Sequence, residues 1–504
     1  QVVHDEGTLD VQRVELNGES VNTIIENQRA VIISKAAQLP LLTVSLAVDK
    51  DKRYLVLSMA HSLYDGWSMD MLHEDIARSY AGHYCQRPRY DDILEHIITS
   101  SGESATKFWR ATLANFISAP FPKGKNAGND EMVVHRQEKV FSHLPINAND
   151  FCKLHGVTMQ ALCVACWSLV LAGYIGKPDV AFGLVLSGRN TADSEHVMFP
   201  TMNTVVMRAI LHGSRLEMVK YVQSTLVDLS EYQHFPLRKV KPNTGSGQLF
   251  DTLFIYQKRR PESASDVPVL YKSTGGSSAI EFPVSVELEN VDESIVCRVA
   301  CRDTVLGATD SIRLLEHIEQ VLSSILGEPN QQTVQFADGT MGVSGFSNTY
   351  EPSTNGTSEV DHEGIVSPTQ AQTQWTRVEL QIRKVLSIVA DIPEDKISKG
   401  STLFQLGLDS ISAIKVSSLL KKKSIKLAVS DMIRAGPIGK MALAANRNLV
   451  EISPGDIRTT IEQLLNSIDT SSLVQTCGID QSQVEAILPV TAGQAYFLSM
   501  HTLN

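Results

Sequence analysis

No stretch of this chain approaches the roughly 20 consecutive apolar residues that a helix needs to cross a bilayer, and no signal-peptide pattern stands at its first residues. Positive charge is not in surplus either. The 45 Lys and Arg against 56 Asp and Glu leave a formal net charge of −11, which disfavours a nucleic-acid surface and favours solubility. Cysteine is sparse: the seven are odd in number and scattered. Cys163 and Cys166 have the spacing of metal ligands, but no second pair accompanies them and they sit inside the apolar run 158–173. That run reads as a core helix, so no metal site is expected. No membrane partner and no nucleic-acid partner is expected, and the location expected is cytoplasmic, in a reducing compartment.

What is present is enough for more than one domain, since 504 residues exceed what a single core usually organises. Residues 1–330 read as mixed α/β. Val44–Val48 and Arg53–Leu57 are β-rich runs around the charged turn Asp49–Lys52, a hairpin signal, and 68–83 reads as helical. Near 119–130 the composition shifts to Pro, Gly, Lys and Asn, which suggests a boundary between two lobes, 1–118 and 119–330. Strand-like runs follow at 179–186, 204–208, 250–256, 282–288 and 294–301, then a helix opened by Thr309 and Asp310. Ile312, Leu315, Ile318, Leu322 and Ile325 form its apolar stripe. Residues 331–374 are rich in Gln, Ser, Thr, Gly and Asn and read as a flexible linker. A second linker, 446–484, contains a helical stripe over Ile457–Ile468, and no internal repeat is found.

Between the linkers, Phe404 precedes the string Leu406-Gly407-Leu408-Asp409-Ser410-Ile411. Ser410 falls where a loop ends and an amphipathic helix begins, and Val378, Ile382, Val385, Leu386 and Val389 mark another helix upstream. An ordinary N-cap serine would explain Ser410 alone. It does not explain the surrounding string, nor Ser430–Ile433 and Pro437–Ala442 after it. The stretch 375–445 resembles a thiolation (peptidyl carrier) domain of nonribosomal peptide synthetases, an all-α four-helix fold. The resemblance implies that Ser410 carries a covalent 4′-phosphopantetheine, attached by a phosphopantetheinyl transferase.

A second site follows the Arg53–Leu57 strand. In Ser58–Ser68 (SMAHSLYDGWS), His61 and Asp65 stand four apart with Gly66 next. A single His after a strand is more often structural than catalytic, but this string resembles the His-His-x-x-x-Asp-Gly motif of condensation domains. Asp179–Asn190 (DVAFGLVLSGRN), Asn203–Arg208, Tyr232–Leu237 and Phe250–Phe254 resemble later condensation motifs, in family order. The fold implied for 1–330 is the two-lobed α/β architecture of chloramphenicol acetyltransferase. Two departures stand out: Ala60 replaces the first histidine, and the motif lies much nearer the first residue than in the family. An N-terminally truncated first lobe is therefore expected. Glu485–Leu498 (EAILPVTAGQAYFL) resembles the opening of a further condensation domain, and 485–504 is expected to be disordered or loosely docked. No adenylation domain lies between. That order resembles the terminal region of fungal hydroxamate-siderophore (ferrichrome-type) synthetases.

The resemblance implies amide formation between aminoacyl or peptidyl thioesters, delivered by upstream and downstream carrier, adenylation and condensation domains of the same synthetase. His61 would take the proton of the attacking amine, or instead orient the amine or hold the oxyanion. Asp65 would be structural, paired with Arg189 of the other lobe, and Gly66 would let backbone approach the substrate tunnel or be a plain turn glycine. Lys421, Lys422, Lys423 and Lys426 are either a solvated helix end or a docking patch. Two other readings stay open: an acyltransferase that makes esters or cyclises, and a degenerate docking scaffold.

Overall fold

The computed structural model describes residues 2–4, 11–34, 42–50, 52–99, 102–130, 133–189, 194–236, 239–240, 249–258, 270–272, 274–275, 280–291, 293–333, 375–408, 410–445, 484–488, 490–495 and 498. In the first lobe β1 (Val2–His4), β2 (Val11–Glu15) and α1 (Val21–Ser34) lead into a hairpin of β3 (Leu42–Asp49) and β4 (Lys52–Met59). The charged turn closes the hairpin with Asp49 opposite Lys52 and Lys50 in the left-handed region. β2 adds to β3 in parallel, and α1 covers this three-stranded sheet through Leu16, Ile24, Ala47 and Val56. Three helices follow, α2 (Gly66–Tyr80), α3 (Asp91–Thr99) and α4 (Glu103–Thr112).

The second lobe is built from β5 (Val134–Phe141), α5 (Ala148–His155), α6 (Met159–Ile175), β6 (Asp179–Leu186), β7 (Asn203–Ile210), α7 (Arg215–Glu231), β8 (Thr252–Lys258), β9 (Val284–Val291), β10 (Ser294–Arg302) and α8 (Ala308–Gly327). Its six strands lie in the order β5-β10-β9-β8-β6-β7, with β6, β8 and β9 parallel in the centre and antiparallel pairs at both sides. α6 is apolar on every face and is buried between α7, α8 and the sheet, as such a helix must be. Cys163 and Cys166 are part of that core, Trp167 packs on Phe182 and Phe254, and burial pushes both thiols up.

A separate core holds four helices, α9 (Arg377–Ala390), α10 (Ser410–Lys421), α11 (Val429–Ala435) and α12 (Ile438–Ala445), around Ile382, Leu386, Leu403, Val416, Met432 and Met441. Thr376 and Glu379 form a reciprocal N-terminal cap on α9. α11 rests against α7, where Arg434 donates to Asp228 at 2.7 Å and to Glu231 at 3.1 Å. Lys421, Lys422, Lys423 and Lys426 are exposed, and among the described residues Arg434 forms ion pairs with the second lobe.

The last strand, β11 (Val484–Ile487), pairs antiparallel with β1, placing Val2 opposite Ile487. For the described part of 485–504 this overturns the expectation of loose docking. Main-chain pairing and an apolar contact of Leu488 with the cluster of Ile93, Ile97, Val197 and Phe199 hold it on the first lobe. The expected linkers lie almost wholly outside the described residues, as does the helical stripe Ile457–Ile468.

Candidate active site and carrier attachment site

The turn after β4 is short and closed: the Leu63 N–H donates to Ala60 O at 3.0 Å. His61 leaves this turn with its ring stacked on Tyr64, centroids 4.7 Å apart, and its Nδ1 lies 3.0 Å from the Tyr64 carbonyl. A carbonyl can only accept, so this contact places the proton on Nδ1, and in the neutral ring the lone pair is then on Nε2. Burial pushes the Tyr64 phenol up, so it stays neutral around pH 7.

Asp65 caps α2, accepting from Ser68 N at 2.7 Å while the Ser68 hydroxyl accepts from Asp65 N at 2.8 Å. The same carboxylate accepts from Arg189 Nη2 at 3.2 Å and from Thr201 N at 3.0 Å. Arg189 also donates to the carbonyls of Ser194, Val197 and Phe199. One buried guanidinium thus ties the start of α2 in the first lobe to a loop of the second, and Trp67 adds a bond from its indole N–H to Glu195 O at 2.8 Å.

The other motifs converge on the same junction. Gly188 has φ +71°, and a Cβ there would stand 2.0 Å from Thr201 O, so only glycine fits. Its N–H donates to Gln233 Oε1 at 3.1 Å, and Asn203 Nδ2 donates to the carbonyls of Gln233 and Phe235. His234 lies beside His96 and is held neutral by burial, which lowers its pKa to about 3. Gly66 is less constrained: a Cβ would meet only Gln257 Nε2 at 3.8 Å, an ordinary contact, so the fold itself does not demand glycine. Ala60 is buried, only 4% exposed.

The structure therefore brings His61, Asp65, Gly66 and Arg189 together. Ser410 lies elsewhere, as the first residue of α10 in the four-helix unit, behind Gly407 at φ +76°. A phosphodiester at that position suits the N–H groups and positive dipole end of a 12-residue helix. Sequence reasoning missed Gln494, whose Nε2 donates to Ser62 O at 3.2 Å, next to His61. A signal was available, because Thr491 and Gln494 have the T-x-x-Q spacing of a helix cap.

Comparison with known proteins agrees with this division. The condensation-domain family matches residues 1–337, and the phosphopantetheine attachment site family matches residues 381–444. The nonribosomal peptide synthetase sidC of Arthroderma benhamiae is 40% identical over 99% of this chain, and nonribosomal peptide synthetase 2 of Cochliobolus heterostrophus is 35% identical over 95%. The chain spans about a tenth of the length of these curated relatives. Among solved structures, a holo four-domain nonribosomal peptide synthetase bound to AMP and glycine superposes with a TM-score of 0.51 at 12% identity. That match covers 65% of this chain and 28% of the solved one, and shows the fold alone.

Proposed function

The chain belongs to the condensation-domain family and carries a phosphopantetheine attachment site, and from that premise we propose that it is a working segment of a nonribosomal peptide synthetase. Residues 1–337 form an amide between an acyl thioester and the amine of a second carrier-bound unit. Ser410 is the attachment serine. The observation that carries the catalytic part is His61, pinned through Nδ1 to Tyr64 O beside a junction that Asp65 and Arg189 lock.

The amine nitrogen attacks the thioester carbonyl, the C–N bond forms, and the C–S bond breaks to release a thiol. The nitrogen becomes acidic as it bonds, and His61 Nε2 takes its proton and returns it to the departing sulfur. An imidazole can both accept and donate a proton, which suits it to both transfers. The positioned base supplies about 10²–10⁴ in rate. Holding both reactants on tethers supplies effective concentration and orientation. Asp65 and Arg189 touch no reacting atom in this scheme; they keep the His61 turn and the 194–201 loop in one arrangement. When bound, the phosphopantetheine on Ser410 supplies the thiol on which an acyl unit is held.

The partners are a phosphopantetheinyl transferase and other domains of the synthetase. More finely, adenylation domains placed outside this segment load the carrier, and the product is a hydroxamate siderophore of the ferrichrome type. The support is the order condensation, carrier and condensation-opening segment without adenylation between, together with the His61–Ser68 and Ile487–Gln494 strings. Incubation with coenzyme A and a transferase should add one arm by mass, and Ser410→Ala should abolish it. With donor and acceptor carriers loaded, His61→Ala should lower turnover by about 10²–10⁴ with an unchanged melting temperature. An arm attached elsewhere overturns the carrier assignment, and turnover within twofold of wild type overturns the role of His61.

A further inference from the structure

His61 meets the same residue twice. Its imidazole lies on the face of the Tyr64 ring, centroids 4.7 Å apart at an interplanar angle of 9°, and its Nδ1 is 3.0 Å from the Tyr64 carbonyl oxygen. The two contacts restrain different motions. A face-to-face stack fixes the plane of the imidazole but lets the ring turn within that plane. A hydrogen bond at Nδ1 pins one atom of the ring and lets the plane swing about it. Together they leave one orientation, and with it one direction for Nε2.

Tyr64 is itself firmly placed. On one side the Leu63 N–H donates to Ala60 O at 3.0 Å and closes the turn. On the other, Asp65 opens α2: its backbone carbonyl accepts from Met69 N at 3.0 Å, and its carboxylate accepts from Arg189 and Thr201 of the second lobe. The lobe junction is thus one residue away from the ring on which the imidazole lies. That ring is half-buried, and burial pushes its phenol up, so the face it offers is neutral.

We propose that the Tyr64 side chain is a positioning residue for His61: its ring face sets the plane of the imidazole, so that Nε2 points along one line to the amine it deprotonates. The inference rests on the reading of His61 as the reacting group. Orientation of that group is part of the barrier, so an imidazole free to swing loses rate rather than substrate binding. The requirement is for a flat aromatic face and not for the phenol hydroxyl. Tyr64→Phe keeps the face and removes the hydroxyl. Tyr64→Leu keeps apolar bulk and the main-chain acceptor but removes the face, which separates the stack from the Nδ1 bond.

The test uses residues 1–504 with ¹⁵N-histidine labelling, the His61 signals being those lost in His61→Gln, together with steady-state condensation between loaded carriers. In the neutral ring the ¹⁵N shifts of the two nitrogens report which one carries the proton. Wild type should show the Nδ1–H tautomer alone. Expected for Tyr64→Leu is a mixture of tautomers, with kcat lowered tenfold or more and KM within twofold of wild type. Tyr64→Phe should keep the single tautomer and match wild type within twofold in both constants. If Tyr64→Leu does not fold, Tyr64→Met decides in its place. A folded variant without the aromatic face overturns the proposal if it keeps the wild-type tautomer, if its kcat falls less than tenfold, or if the loss lies in KM. So does a Tyr64→Phe that departs from wild type by more than twofold. The spectra are read without turnover. Failure of the functional reading, seen as an active His61→Ala, is therefore distinguishable from failure of this one.

Discussion

Asp65 and Arg189 meet across the two lobes at 3.2 Å, each side chain only 4% exposed. A pair this deeply buried adds little net stability over an apolar substitute, but removing one partner strands the other charge. Asp65 has two further duties, capping α2 and receiving Thr201 N. Asp65→Ala should therefore destabilise the condensation unit by about 3–5 kcal/mol, measured by denaturant unfolding. An unaltered midpoint with lost turnover would make Asp65 part of the chemistry instead.

Ala60 occupies the place where the family motif has its first histidine. Because the position is buried, Ala60→His should overpack the turn, costing about 1–3 kcal/mol. Turnover should fall rather than rise. A variant faster than wild type would show that the missing imidazole, and not the space, limits this site.

His234 gives the fold a pH dependence of definite sign. Its folded pKa of about 3 lies below the ordinary value of 6.5 because burial, with His96 adding to it, disfavours the charged ring. Above about pH 6.5 neither state is protonated and the group is neutral in its effect. As pH falls from about 6.5 towards 3 only the unfolded chain binds the proton, so stability drops by up to about 1.4 kcal/mol per pH unit. Thermal melts from pH 7.5 to 4.5 should show a shallower decline in His234→Gln than in wild type. Identical slopes would remove His234 from the account.

Arg434 is the charged link between the carrier bundle and α7, at about half exposure, so the pair is worth about 0–1 kcal/mol and weakens with salt. Arg434→Glu should leave the melting of both units unchanged while loosening the carrier from the second lobe, seen as increased independent tumbling by NMR relaxation. Reversing Asp228 and Glu231 to Arg in the same chain should restore the contact. Independent tumbling already present in wild type would mean that this pair does not hold the carrier.

Much of this was legible in local pattern. The β3–β4 hairpin, the all-apolar α6, β6, α8 and the start of α10 at Ser410 depend on neighbours within a few residues. Elements whose burial is one-sided were harder. β5 is an edge strand with alternating exposure, and its Glu138 is accounted for only by Arg298 on β10, which also bonds Glu287 and Glu289. α7 carries a reciprocal cap of Ser214 and Glu217 that could have marked its start, but its apolar face makes sense only against α6.

By itself the sequence determined which residue types are available and at what spacing: the His61–Gly66 string, the Ser410 string and the order of the two units. Those signals survive in one dimension because each is set by the covalent neighbourhood of a turn or a helix start. Tertiary structure alone decided that Gln494 reaches the His61 turn, that Gly188 must stay bare beside Thr201 and that Arg434 finds Asp228 and Glu231. These contacts join residues far apart in the chain, and their energy depends on a distance of a few ångströms and a buried or half-buried setting. Neither quantity exists until the lobes have packed.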